Sequence, residues 1–209
     1  MRLAVLVSGS GTNLQALLDA EHRGELAPGE IVLVASNRPS VQALERAQGA
    51  GKPAIVVDHK RFPSREAFEE GLLETLSEHR VDAVVLAGFM RVLTPLFLGR
   101  FPDRIVNIHP SLLPAFPGVD AQRQAWEHGV KVAGCTVHFV SPELDEGAII
   151  LQASVPVPDA VGLSSEEGAA RLRARILEKE HEILPAAVQL LAAGRLLRQG
   201  RRVRILPPK

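Results

Sequence analysis

The sequence predicts an α/β fold: one domain, with a mostly parallel central sheet flanked by helices. Three observations carry that expectation. Unbroken apolar runs at Leu3–Val7, Ile31–Ala35 and Ala83–Ala87 recur between helical stretches, as in strands buried on both faces. The first run leads into Ser8-Gly-Ser-Gly-Thr-Asn13 and then a helical run, Leu14–Ala20, the strand–loop–helix order of an α/β unit. No repeat, linker or composition shift marks a second domain, and 209 residues with 46% hydrophobic content supply an ample single core.

Composition narrows the function class. The 24 basic and 24 acidic residues cancel, which disfavours nucleic acid and anionic membrane as main partners. Cys135 is the only cysteine, so neither an intrachain disulfide nor a Cys-based metal cluster can form. No apolar run reaches the length of a membrane span, and the amino terminus reads as a strand, not a signal peptide. A cytoplasmic protein is expected.

The elements follow in order. The glycines of residues 8–13 let backbone N–H groups approach an anion, and the helix behind them adds its dipole. Thr12 and Asn13 could add side-chain contacts or simply cap the helix. A dinucleotide site fits less well than a monophosphate. The third glycine of G-x-G-x-x-G is Leu14, and Ser36-Asn37-Arg38 replaces the acidic residue expected after the second strand. Arg38 reads as a solvated loop residue.

Val41–Gln48 reads as a helix, Ala54–Val57 as a strand, and Ser64 caps a helix running to about Arg80. Gly88-Phe-Met-Arg-Val-Leu93 follows the fourth strand. It could wall a flat ligand pocket, or Phe89 and Met90 could be ordinary core. Thr94-Pro95 opens another helix with a cap and a Pro at its first position. Past residue 114 come a Pro/Gly-rich loop, a helix from about Asp120 to His128, and a strand from Val132 to Val140. On that strand Cys135 and His138 read as structural. Ile149–Val157 is a further strand. Ser164 opens a long helix that Pro185 should kink or interrupt and Gly194 should stop, with Arg171, Arg173 and Arg175 on a solvated face. Val203–Leu206 reads as a final edge strand.

The chemistry concentrates in Arg104-Ile-Val-Asn-Ile-His-Pro-Ser-Leu-Leu-Pro114. Ile105, Val106 and Ile108 favour a strand and Pro110 closes it, so Asn107 and His109 leave one face at its carboxyl end. An amide donor and an imidazole there could hold a developing oxyanion. The alternative is a pair of hydrogen-bonded polar groups finishing a strand. Asp145, in the acidic turn Ser141–Gly147, is a candidate partner for His109, although such turns are usually only solvated.

With these residues in hand, the chain resembles the folate-dependent phosphoribosylglycinamide formyltransferases of purine biosynthesis. The matching stretches are Ser8–Leu14, Leu86-Ala-Gly-Phe-Met-Arg91, Asn107–Pro114, Val137–Val140, Glu143–Gly147 and Glu180-His181. They are spread along nearly the whole chain in family order. The resemblance implies a Rossmann-like fold and formyl transfer from 10-formyltetrahydrofolate to the amine of glycinamide ribonucleotide, without a metal. It assigns catalysis to Asn107, His109 and Asp145. Gly11, Thr12 and Asn13 would hold the ribonucleotide phosphate, and Glu180 the glycinamide portion. Met90, Arg91, Val92, Leu93, Asn107 and Val140 would line the pterin pocket, with Arg65 near the folate tail. Residues 1–100 would then form a phosphate-binding half and 101–209 a folate-binding and catalytic half, in a monomer or homodimer. Asp120 and Gln122 stand where family members often carry histidines, so no role is carried over to them.

The nearest rival is formyltetrahydrofolate deformylase, a hydrolase using the same Asn, His and Asp. It would be expected to carry an extra amino-terminal domain, whereas here the first strand begins at residue 3. Methionyl-tRNA formyltransferase would need a basic tRNA-binding domain. A non-catalytic nucleotide-binding module would explain the glycine loop but not the Asn107–His109 pair.

Overall fold

In a computed structural model that describes residues 1–159 and 162–208, the chain alternates strands and helices. The first part runs β1 (Arg2–Val7), α1 (Thr12–His22), β2 (Glu30–Ser36), α2 (Gln42–Gly49), β3 (Ala54–Val56), α3 (Arg65–Glu78) and β4 (Ala83–Leu86). It continues through α4 (Pro95–Arg100), β5 (Ile105–His109), α5 (Ala121–Glu127), β6 (Val132–Phe139) and β7 (Ile149–Pro156). The long helix α6 (Ser165–Ala192) and the strands β8 (Leu196–Gln199) and β9 (Arg202–Ile205) follow.

Seven strands form one sheet in the order β3-β2-β1-β4-β5-β6-β7. The pairs from β3 to β5 are parallel, and β6 and β7 are antiparallel. Alternation along β1 assigns its side chains to two cores. Leu3, Val5 and Val7 pack with Leu14 and Leu17 of α1 and with Leu172, Ile176 and Val188 of α6. Ala4 and Leu6 pack with Phe68, Leu72 and Leu76 of α3 and Phe97 of α4. Each large side chain so buried contributes about 1.5–3 kcal/mol. The sheet is thus covered on both faces, as its unbroken apolar strands require. Strand order reverses at β1, between β2 and β4, so a crevice opens at the carboxyl ends of β1 and β4.

Four expectations are corrected. Helix α1 begins at Thr12, with Gly11 as its N-cap in the left-handed region (φ 73°) and no side-chain cap, so Thr12 and Asn13 are first-turn residues. Thr94 stands at the N-cap of α4 but does not cap it: its hydroxyl bonds the buried Glu69 carboxylate, which also accepts from the Thr94 N–H at 2.8 Å. Helix α6 passes through Pro185 without interruption. Leu184, Pro185, Ala187 and Val188 are all buried there, and that apolar contact offsets the roughly 3 kcal/mol a mid-helix Pro costs. Finally, residues 203–205 pair with β8 in a separate hairpin and do not extend the central sheet. The Ser164 capping box and the Ser64 cap form as expected. No helix among the described residues is long and apolar enough to cross a membrane.

Candidate active site

The site grows from the carboxyl ends of β1, β4 and β5. On β5, Val106 and Ile108 face the α1/α6 core while Ile105 faces the α3/α4 core. Asn107 and His109 therefore leave together on the Ile105 face. Beyond the strand the chain turns, and His109 is buried to 5% exposure. Its Nε2 lies 2.9 Å from the carbonyl oxygen of Phe116, and its Nδ1 lies 3.4 Å from Asp145 Oδ2. A carbonyl and a carboxylate only accept, so a ring carrying both protons satisfies both neighbours.

Asp145 is brought in by the β6–β7 turn, from 36 residues away in sequence. Its backbone is left-handed (φ 54°), a region Asp enters more readily than most residues. Its carboxylate is held at Oδ2, which accepts the Gly118 N–H at 2.8 Å while facing His109. Gly118, at φ 82°, sits in the loop that also supplies the Phe116 carbonyl.

His138 is the satisfied sheet residue expected of it, and it also adjoins this cluster. It is the register partner of Asn107 across the β5–β6 pair, and its Nε2 lies 3.2 Å from the Asn107 amide nitrogen. Its Nδ1 faces the Phe139 carbonyl at 2.9 Å and so carries the ring proton. The Nε2 lone pair is then free to accept from Asn107, fixing which way the amide points. Burial lowers the His138 pKa, with the Phe139 carbonyl and Asp145 pulling it back up and His109 pushing it further down. Cys135, by contrast, is inert: burial, then the Glu180 charge, push its thiol up to about 12.

The glycine loop is the second region where the sequence places candidate site residues. A side chain at Gly11 would collide with Ala43, and the Ala43 N–H reaches the Gly9 carbonyl at 3.2 Å, so α2 presses directly on the loop. Asn13 Nδ2 donates to Glu180 Oε2 of α6 at 2.7 Å, leaving Asn13 Oδ1 buried without a partner among the described residues. Burial raises the Glu180 pKa, and the Asn13 hydrogen bond opposes it. Ser8 turns away from the loop: its hydroxyl donates to Asn37 at 2.6 Å and accepts the Met90 N–H at 2.8 Å, anchoring the segment after β4.

That segment carries the residues expected to meet folate. Met90 and Val92 are exposed, at 65% and 46%, whereas Leu93 belongs to the α3/α4 core and Val140 packs against it. The Arg91 guanidinium lies over the Phe68 ring at 5.2 Å, with a buried Nε lacking a partner among the described residues. Arg65, exposed at the start of α3, is one helical turn from Phe68. Asp120 is the left-handed N-cap of α5 and Gln122 follows within that helix.

Residues 1–188 match the protein-family model described as formyl transferase. The chain belongs to that family. It is 43% identical to the phosphoribosylglycinamide formyltransferase of Escherichia coli K12 over 196 residues, covering 94% of this chain and 89% of that one. The glycinamide ribonucleotide transformylase 1 structure from Symbiobacterium toebii superposes with a TM-score of 0.93 at 56% identity, covering 99% of this chain and 94% of that one. The chain is also 48% identical over 200 residues to the trifunctional purine biosynthetic protein adenosine-3 of Drosophila melanogaster, of which it spans 14%. As a formyl transferase family member it shares the Rossmann-like architecture of its structural neighbours.

Proposed function

We propose that this family member is a phosphoribosylglycinamide formyltransferase of purine biosynthesis, moving the formyl group of 10-formyltetrahydrofolate to the amine of glycinamide ribonucleotide. The observation that carries it is the convergence of Asn107, His109 and Asp145, with the His109–Asp145 distance at 3.4 Å. The Asn13–Glu180 bond ties the Gly11–Asn13 loop to the same half of the molecule. Residues 1–100 contribute the anion cradle and the Met90–Leu93 wall, and 101–209 the polar cluster, so folate contacts come from both halves.

On this reading the amine attacks the formyl carbon, forming a C–N bond and a tetrahedral oxyanion. The Asn107 amide and the His109 ring donate to that oxygen, which competes with the Phe116 carbonyl for Nε2. Asp145 stabilises the charged ring. Collapse breaks the bond to folate N10, and the proton lost by the amine ends on N10. Two donors suffice to polarise the carbonyl, so the step is written without a metal. Gly11, Thr12 and Asn13 hold the phosphate, and Glu180 meets the glycinamide end. Arg65, Met90, Arg91, Val92, Leu93 and Val140 meet folate; the orphan Arg91 Nε and the exposed Met90 and Val92 suit a ligand with polar and flat apolar parts.

The deciding experiment incubates purified protein with both substrates and follows formylated ribonucleotide. Ribonucleotide-dependent product is expected. Slow formate release indifferent to ribonucleotide would instead indicate hydrolysis.

A further inference from the structure

Beside the glycine loop lies a cavity of about 420 Å³, bounded by Thr12, Gln15 and Asp19 of α1, Arg23, Arg46 of α2 and His181 of α6. Its two arginines differ. Arg23 is matched by Glu25, bonded through Nε and Nη2 at 2.8 and 2.7 Å. Arg46 is half-buried, and among the described residues no carboxylate comes within 4.0 Å of it. Its partners are neutral: Nε donates to the Ser10 carbonyl at 2.9 Å and Nη1 to the Gln15 amide oxygen at 3.2 Å. These bonds fix the guanidinium fork beside Thr12 without neutralising it. His181, which also lines the cavity, has its Nε2 buried with no partner among the described residues. Buried polar atoms are seldom left so, and a partly desolvated cation is stabilised by an anion at hydrogen-bonding distance.

We propose that Arg46 is the counter-charge of the phosphate seat, binding the ribonucleotide's phosphate dianion together with the Gly11–Asn13 loop. The inference rests on the phosphate reading given above and adds a residue from α2 to it. Loop amides and the α1 dipole bring only about half an elementary charge to a dianion, so a full positive charge close by would strengthen the seat. Arg46 is held where that charge falls, and its planar fork suits a phosphate. The same Ser10 bond could serve only to brace the loop, and the test must separate the two roles.

Ribose 5-phosphate and, as control, ribose are titrated against the full chain by thermal shift, with KM for ribonucleotide and folate measured in parallel. The expected result is stabilisation by ribose 5-phosphate and not by ribose, reduced about tenfold or more in affinity by Arg46→Gln. KM for ribonucleotide should rise to match, with folate KM unchanged. Arg46→Lys loses the Ser10 bond but keeps the charge, so it should bind ribose 5-phosphate more tightly than Arg46→Gln. Equal weakening in both variants, or wild-type affinity in Arg46→Gln, overturns the counter-charge role alone. Failure of the wild-type chain to respond to ribose 5-phosphate overturns that role and the phosphate reading together.

Discussion

The amide nitrogen of Asn107 and Nε2 of His138 face each other at 3.2 Å, directly across the antiparallel pair β5–β6. Because Nδ1 of His138 is committed to the Phe139 carbonyl, the neutral ring presents a lone pair to the amide. That lone pair holds the Asn107 NH₂ in one of two flip states, with its second N–H left for an oxyanion. Protonating His138 would replace the lone pair with a donor and favour the opposite flip. His138→Ala should therefore lower kcat by about tenfold, the worth of one neutral hydrogen bond, and change the acid limb of the pH–rate profile. A variant with reduced kcat and an unaltered profile would leave His138 a packing residue only.

Stability should respond to the same group. Burial depresses the His138 pKa below its ordinary 6.5, and His181 is lowered by burial too, with Asp19 opposing. In acid the unfolded chain therefore binds these protons more readily than the folded one. Their contribution to stability is full above pH 6.5 and is lost as pH falls through the folded pKa values. Glu180, raised by burial, works in the opposite sense, losing stability as pH rises through its folded pKa. Urea melts of wild type and His138→Gln between pH 5.5 and 7.5 isolate the histidine, since Glu180 and His181 are common to both (roughly a two-unit window about the reference value). The variant should lose less stability on acidification than wild type.

Much of the fold was legible because its signals are local. The apolar runs of β1, β2 and β4, the Ser64 and Ser164 caps and the Asn107–His109 alternation each need only a few neighbouring residues. What was hidden is non-local. His138 reads as a satisfied sheet residue and is one, but its Asn107 partner is set by the register of β5 against β6, and those strands are separated by a loop and α5. The usable signal was that β6 follows a long excursion and can return antiparallel, which would bring polar Asn107 opposite polar His138. Pro185 misled for a related reason: its helix is held by burial against the sheet, which propensity does not record. Val203 carried a strand pattern, but nothing local distinguished a separate hairpin from an added edge strand.

Asp145 is tied to His109 on one side and to the Gly118 N–H on the other. Asp145→Asn keeps the shape but removes the charge facing the ring, while its amide oxygen can still stand at the Oδ2 position that accepts the Gly118 N–H. Turnover should fall by about a hundredfold or more, while KM for either substrate moves little, because the charge matters most when the oxyanion forms. Steady-state kinetics over a range of pH is the measurement. Unchanged turnover across that range would remove Asp145 from the mechanism.

The anion cradle can be dissected by two substitutions that fail for different reasons. Gly11 combines φ 73° with a backbone so close to α2 that an added Cβ would lie 2.6 Å from the Ala43 Cβ. Gly11→Ala should cost about 1–3 kcal/mol of stability through strain and overpacking, and it should raise KM for ribonucleotide by pushing α2 away from the loop. Thr12 is a half-buried first-turn residue whose hydroxyl is free for a ligand among the described contacts. Thr12→Ala should leave the melting temperature nearly unchanged and raise KM for ribonucleotide alone. Comparing thermal melts with the two KM values separates cradle geometry from side-chain contact. If Thr12→Ala weakens folate more than ribonucleotide, the two pockets have been assigned the wrong way round, since Thr12 lies on the loop and Met90, anchored through Ser8, lies on the neighbouring wall.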